Sequence, residues 1–78
     1  MPKVLVSGRF RFFFFSNESQ EPPPIHVKAG NAEAKFWLEP IELAVNYGFN
    51  ERELGQIERL IQVHGDDFQE AWNDHFSA

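Results

Sequence analysis

The 78-residue chain contains no cysteine. That excludes disulfides and thiolate metal centres, and it suits a reducing compartment. Long apolar runs are also missing. The most hydrophobic stretch, Phe10 to Phe15, is interrupted by Arg11 and is far too short to span a bilayer. The start, Met1-Pro2-Lys3-Val4, has no hydrophobic signal region. No membrane association is therefore expected, and the expected location is the cytoplasm. Glycine-rich phosphate loops, dinucleotide fingerprints and nucleophile elbows are absent, so no cofactor is expected and a cofactor enzyme is disfavoured. Cations are scarce in the second half. Residues 39–78 hold only Arg52 and Arg59 against nine acids, a balance of −7, whereas residues 1–38 carry +2. A uniformly basic nucleic-acid binder does not look like this.

What is present in quantity is phenylalanine, above all the four consecutive rings Phe12 to Phe15. A half-buried strand alternates apolar with polar residues, whereas four rings in a row place large side chains on both faces. Both faces then need cover, and in so short a chain a partner can supply part of it.

Val4-Leu5-Val6 reads as a short strand, Ser7-Gly8 as a two-residue turn, and Arg9 to Phe15 as the returning strand. With that turn, Leu5 faces Phe10 and Val4 faces Arg11. Leu5, Phe10, Phe12 and Phe14 then form a wholly apolar core face. Val4, Val6, Arg9, Arg11, Phe13 and Phe15 form a mixed one. Ser16 to Pro24 is a loop stiffened by Pro22, Pro23 and Pro24. Ile25 to Lys28 alternates, Gly30-Asn31 signals a turn, and Ala32 to Leu38 returns. That turn pairs Lys28 with Glu33, Val27 with Ala34, His26 with Lys35 and Ile25 with Phe36. Ile25, Val27, Ala34, Phe36 and Leu38 fall on one face. His26, Lys28, Glu33, Lys35 and Trp37 fall on the other. A one-residue slip scrambles both faces, so this clean sorting supports the register. Pro40 breaks the run, and Ile41 to Val45 reads as a last strand, with a helical turn as the alternative.

Asn50-Glu51-Arg52-Glu53 reads as a capping box with asparagine in the first position. Leu54, Ile57, Leu60, Ile61 and His64 recur at helical spacing. Gly65 suits a left-handed C-cap, and Asp66-Asp67 suits the start of a second helix. The apolar stripe of that second helix is Phe68, Ala71, Trp72, His75 and Phe76. The expected fold is α+β in one domain, 1–78. A small antiparallel sheet of four to five strands fills a β-rich half, 1–45, and a C-terminal helical pair over 50–76 packs on one face.

Several segments carry a family resemblance in their order and spacing. They are Phe13-Phe14-Phe15-Ser16-Asn17-Glu18, Glu21-Pro22-Pro23-Pro24-Ile25-His26-Val27, Ala34-Lys35-Phe36-Trp37-Leu38 and Glu70-Ala71-Trp72. Along its whole length the chain resembles the small bacterial domain-of-unknown-function family numbered 4160. The resemblance implies no established activity. It does imply a partner, because members often stand beside a second small uncharacterised protein in arrangements resembling toxin–antitoxin pairs. Members usually read Glu-Pro-Pro-His-aliphatic-His-Val before the third strand. Here Pro24 replaces the first histidine, so the pair that could share a metal or a proton does not exist.

Candidate chemistry is correspondingly thin. His26 as a general base needs a positioned carboxylate, and Glu21 is the nearest in sequence. The plainer reading makes His26 a half-exposed strand residue, and His64 and His75 structural helix residues. Trp72 with Phe68 and Phe76 reads as core rather than a binding box. No metal site is expected. Arg9, Arg11, Phe13, Phe15, His26, Lys35 and Trp37 form the candidate binding face, with Lys28 beside them. Interleaved cations and aromatics on a sheet suit single-stranded RNA. They suit a protein interface better, since arginine and aromatic residues are enriched at interface centres. The expected function is a small interaction module that binds a protein partner or itself. The alternative is a toxin-like RNA-binding or RNA-cleaving protein that uses His26.

Overall fold

The computed structural model describes residues 3–15 and 24–76, with side chains placed for 5–15 and 24–74. The Ser16–Pro23 part of the loop, Glu21 included, lies outside the described residues, as do the side chains of Val4, His75 and Phe76. Five strands, β1 (Lys3–Ser7), β2 (Phe10–Phe13), β3 (Pro24–Ala29), β4 (Ala32–Leu38) and β5 (Ile41–Tyr47), precede one helix, α1 (Glu51–Phe76). The strands form an antiparallel meander in the order β1-β2-β3-β4-β5. The architecture is therefore α+β with a five-stranded sheet. Among the described residues no helix is long and apolar enough to cross a membrane.

The β3–β4 hairpin has the register expected from Gly30-Asn31. Lys28 pairs with Glu33, Val27 with Ala34, His26 with Lys35 and Ile25 with Phe36. The β1–β2 hairpin differs. Its turn is Gly8-Arg9 rather than Ser7-Gly8, so Ser7 pairs with Phe10, Val6 with Arg11 and Leu5 with Phe12. Gly8 takes a positive φ of 60°, the geometry a tight hairpin turn demands of its first central residue. The slide amounts to two residues, which leaves Leu5, Val6 and Phe10 to Phe13 on their expected faces. A bulge between Lys3 and Leu5 bends the outer end of β1. Pro24 opens β3 opposite Trp37, the strand position that proline tolerates best. β5 reads as the expected strand and runs two residues further, to Tyr47, with a bulge opposite Lys35/Phe36.

The inner face carries the core: Phe10, Phe12, Phe14, Ile25, Val27, Ala34, Phe36 and Leu38, closed by Phe49 and by Ile57, Ile61 and Phe68 of the helix. Phe12 stacks obliquely on Phe68, with ring centroids 5.2 Å apart.

The expected helical pair is a single helix of 26 residues. Gly65 does not cap it, and its φ is not positive. Ile57, Ile61 and Phe68 lie four and seven residues apart, and all three are buried. Seven residues are two turns, so the buried stripe passes Gly65 without a change of phase. A C-cap followed by a fresh start resets that phase. Burial of one continuous stripe outweighs the roughly 1 kcal/mol that a mid-helix glycine costs relative to alanine.

The helix start follows the capping box. Glu53 N–H donates to Asn50 Oδ1 at 2.8 Å, and Asn50 N–H donates to Glu53 Oε1 at 2.9 Å. Just upstream, the Asn46 side chain accepts from Phe49 N–H at 3.1 Å and donates to the Phe49 carbonyl at 3.0 Å. Gly48 lies between them with φ 99°, and a Cβ there would stand 3.2 Å from Ala32 Cβ. This clamp turns the chain from β5 into α1.

Candidate interaction site

The sheet has a second face. Its side chains run in rows fixed by the strand pairings, and no described element lies over them. One row reads Val6, Arg11, Lys28, Glu33, Tyr47, and the next reads Phe13, His26, Lys35, Val45. Trp37 follows between Pro24 and Glu42. Phe15 continues past the end of β2.

Of the expected binding-face residues, six come together here: Arg11, Phe13, Phe15, His26, Lys35 and Trp37. Arg9 does not. As the second turn residue it reaches towards the helix, forms an ion pair with Glu53, and lies with its guanidinium carbon 5.3 Å from the Phe10 ring centroid. The same Glu53 carboxylate thus caps α1 and holds the β1–β2 turn.

Within the face, His26 is only 7% exposed. Its ring stacks on Phe13, with centroids 5.5 Å apart and planes 13° apart, and meets Phe15 edge-on at 4.5 Å. Phe13 and Phe15 meet edge to face at 5.4 Å. These three rings form a satellite cluster on the side away from the helix. The second pair of the Phe12–Phe15 run thus takes its cover partly from β3. The His26 ring is thus packed against two phenyl rings. Its suggested carboxylate partner, Glu21, lies outside the described residues. Among the described residues no group of three or more histidines and acids is placed to hold a metal.

Around the cluster the surface is mixed. Lys35 Nζ sits 4.7 Å from the Trp37 ring centroid, a cation–π contact. A shallow depression of ≈ 190 Å³ opens beside it, bordered by His26, Glu33, Lys35, Val45 and Tyr47. Arg11 stands directly opposite Lys28, and both are exposed. Neither makes an ion pair within the described residues, and like charges across a ladder are mildly destabilising. Val6, Phe15, Val45 and Tyr47 add exposed apolar surface, Tyr47 being 70% exposed.

Val45 and Tyr47 belong to this face although the sequence reading did not single them out. Carrying the strand pairing across the Pro40 turn finds them, provided the bulge at Ala44 is allowed for. The Arg9–Glu53 contact carried no comparable signal, since it depends on how the helix returns to the sheet.

Neither a curated protein nor a solved structure matches the chain. A family model described as a domain of unknown function, DUF4160, matches residues 10–73. That span runs from the first core phenylalanine past partly buried Trp72 near the end of the helix, and the chain belongs to this family.

Proposed function

We propose that this chain is a small cytoplasmic protein-interaction module that engages its partner through the outer sheet face, as one component of a two-component pair of the toxin–antitoxin kind. The observation that carries the reading is a sheet face that no described element covers. It joins exposed Val6, Phe15, Val45 and Tyr47 to Arg11 and Lys28, two cations set opposite each other, neither of which forms an ion pair among the described residues. Exposed apolar side chains beside unneutralised arginine are the makings of an interface centre.

Co-expression with the product of the adjacent gene, followed by gel filtration with light scattering, tests this. The expected result is a complex, with that product or with a second copy. Val45→Lys combined with Tyr47→Lys should abolish it while moving the melting temperature by no more than a few degrees. A salt-insensitive monomer that also fails to bind its neighbour overturns the reading.

RNA binding is the second reading, supported by Arg11, Lys28, Lys35 and the Trp37 ring on one face. The overall charge of −5 and the burial of His26 count against it. Titration of a labelled single-stranded RNA at two salt concentrations separates the two, because phosphate contacts produce a steep salt dependence.

A further inference from the structure

A second surface lies on the other side of the sheet, where the flank of α1 passes the end of β1. It is an open groove of ≈ 530 Å³. Phe10, Leu60 and Val63 supply its apolar lining, and Arg9, Gln56 and Arg59 its polar one. Val63 is 74% exposed, an unusual position for a large aliphatic residue with no described cover.

The charge there runs against the rest of the helix. The exposed surface of α1 carries Glu51, Glu58, Asp66, Asp67, Glu70 and Asp74, with Arg52 among them in the first turn. Arg59, by contrast, has Gly55, Gln56, Gln62 and Val63 at the helical neighbour positions, so no acid lies within one turn on its own face. Among the described residues it makes no ion pair. Arg9 is already held by Glu53. The groove therefore offers one uncommitted guanidinium beside an apolar floor.

The adjoining strand adds a second feature. β1 is an edge of the sheet, so one side of its backbone has no strand partner among the described residues. Its bulge lies at the Lys3 end, and the ladder is regular from Leu5 to Ser7, next to the groove. The other edge, β5, is bulged in mid-strand opposite Lys35/Phe36, a device that blunts an edge.

We propose that β1 and the α1 flank together receive an extended peptide segment of a partner protein, in which aliphatic side chains alternate around an aspartate or glutamate. The peptide adds a strand to β1. Its alternate side chains then point into the groove, the aliphatic ones onto Phe10, Leu60 and Val63 and the carboxylate onto Arg59. A carboxylate accepts two parallel N–H bonds from a guanidinium, which fixes the register of the added strand. This surface is distinct from the outer face, and the proposal does not depend on that reading.

The test is selection of a phage-displayed random heptapeptide library on the full chain, followed by fluorescence anisotropy with the enriched peptides. The expected consensus alternates aliphatic residues and contains an acid. Arg59→Glu should weaken binding at least tenfold, and Arg59→Gln several-fold. Arg11→Glu on the outer face should change it less than twofold. Both positions are exposed, and thermal melts of the three variants confirm folding. Failure to enrich, enrichment of cationic peptides, or binding that responds to Arg11→Glu and not to Arg59→Glu overturns the proposal. The last of these outcomes leaves the outer-face reading standing.

Discussion

At the scale of single residues, position on a face decides consequence. Phe12 is fully buried between Val27 and the Phe68 ring, whereas Lys28 on the adjacent strand is exposed on the opposite side. Phe12→Asp places a carboxylate where nothing can solvate it, and a loss above about 4 kcal/mol, enough to unfold the domain, is expected. Lys28→Asp swaps a repulsion from Arg11 for an attraction while losing the pairing with Glu33, so its net effect should stay within about 0.5 kcal/mol. Urea titrations of both variants check this, and similar losses would contradict the facing described above. Facing is also what was most readable in the sequence, since alternation needs no knowledge of neighbours beyond the next strand. The burial of His26 was not readable in this way. It depends on Phe13 and Phe15 closing over it, and a ring's reach across a ladder is invisible to a pattern of period two. Arg9 was misplaced for a related reason. A turn residue belongs to neither face, so extending the strand alternation to it had no physical basis once the turn moved to Gly8-Arg9.

At the scale of elements, two comparisons show what local signals can settle. The β3–β4 hairpin was legible because Gly30-Asn31 supplies one well-defined turn and every other register mixes its faces. The β1–β2 hairpin has two adjacent candidate turns, and they differ by a two-residue slide that leaves the faces identical. Sorting by face cannot discriminate between them. The helix is the larger difference. Gly65 followed by two aspartates carries the marks of an end and a new beginning, yet the buried stripe continues through it. This yields a prediction of opposite sign for the two architectures. At Gly65 an added Cβ would meet nothing within 4 Å. Gly65→Ala should therefore stabilise the protein by about 0.5–1 kcal/mol through helix propensity and a less entropic unfolded chain. For a domain of this size that raises the melting temperature by roughly 2–8 °C. Were Gly65 a left-handed cap at the end of a shorter helix, the same change would lower it.

At the scale of the whole molecule, the two sheet faces have different standing. The inner face is covered from within the chain, chiefly by Ile57, Ile61 and Phe68. Three such side chains contribute about 5–9 kcal/mol by burial, as much as a small domain's entire stability. On the outer face the Phe13–His26–Phe15 cluster and the Lys35–Trp37 pair pack among themselves, and no described element covers the rest. Integrity of the fold and capacity to bind should therefore separate. A fragment of residues 1–50 loses the cover over Phe12, Phe14, Ile25, Val27 and Phe36, and it should give a collapsed, poorly dispersed amide spectrum. A peptide of residues 50–78 should be largely unstructured alone, because its helix is held by packing more than by propensity. Mixed, the two should regain strand and helix signals together, and Phe68→Ala in the peptide should prevent it. Full-length protein with Val45→Lys and Tyr47→Lys should keep a native spectrum throughout. A fragment 1–50 that remains well dispersed on its own would mean that the sheet does not need α1. The helix would then have to be explained by binding, and the division of labour between the two faces would be lost.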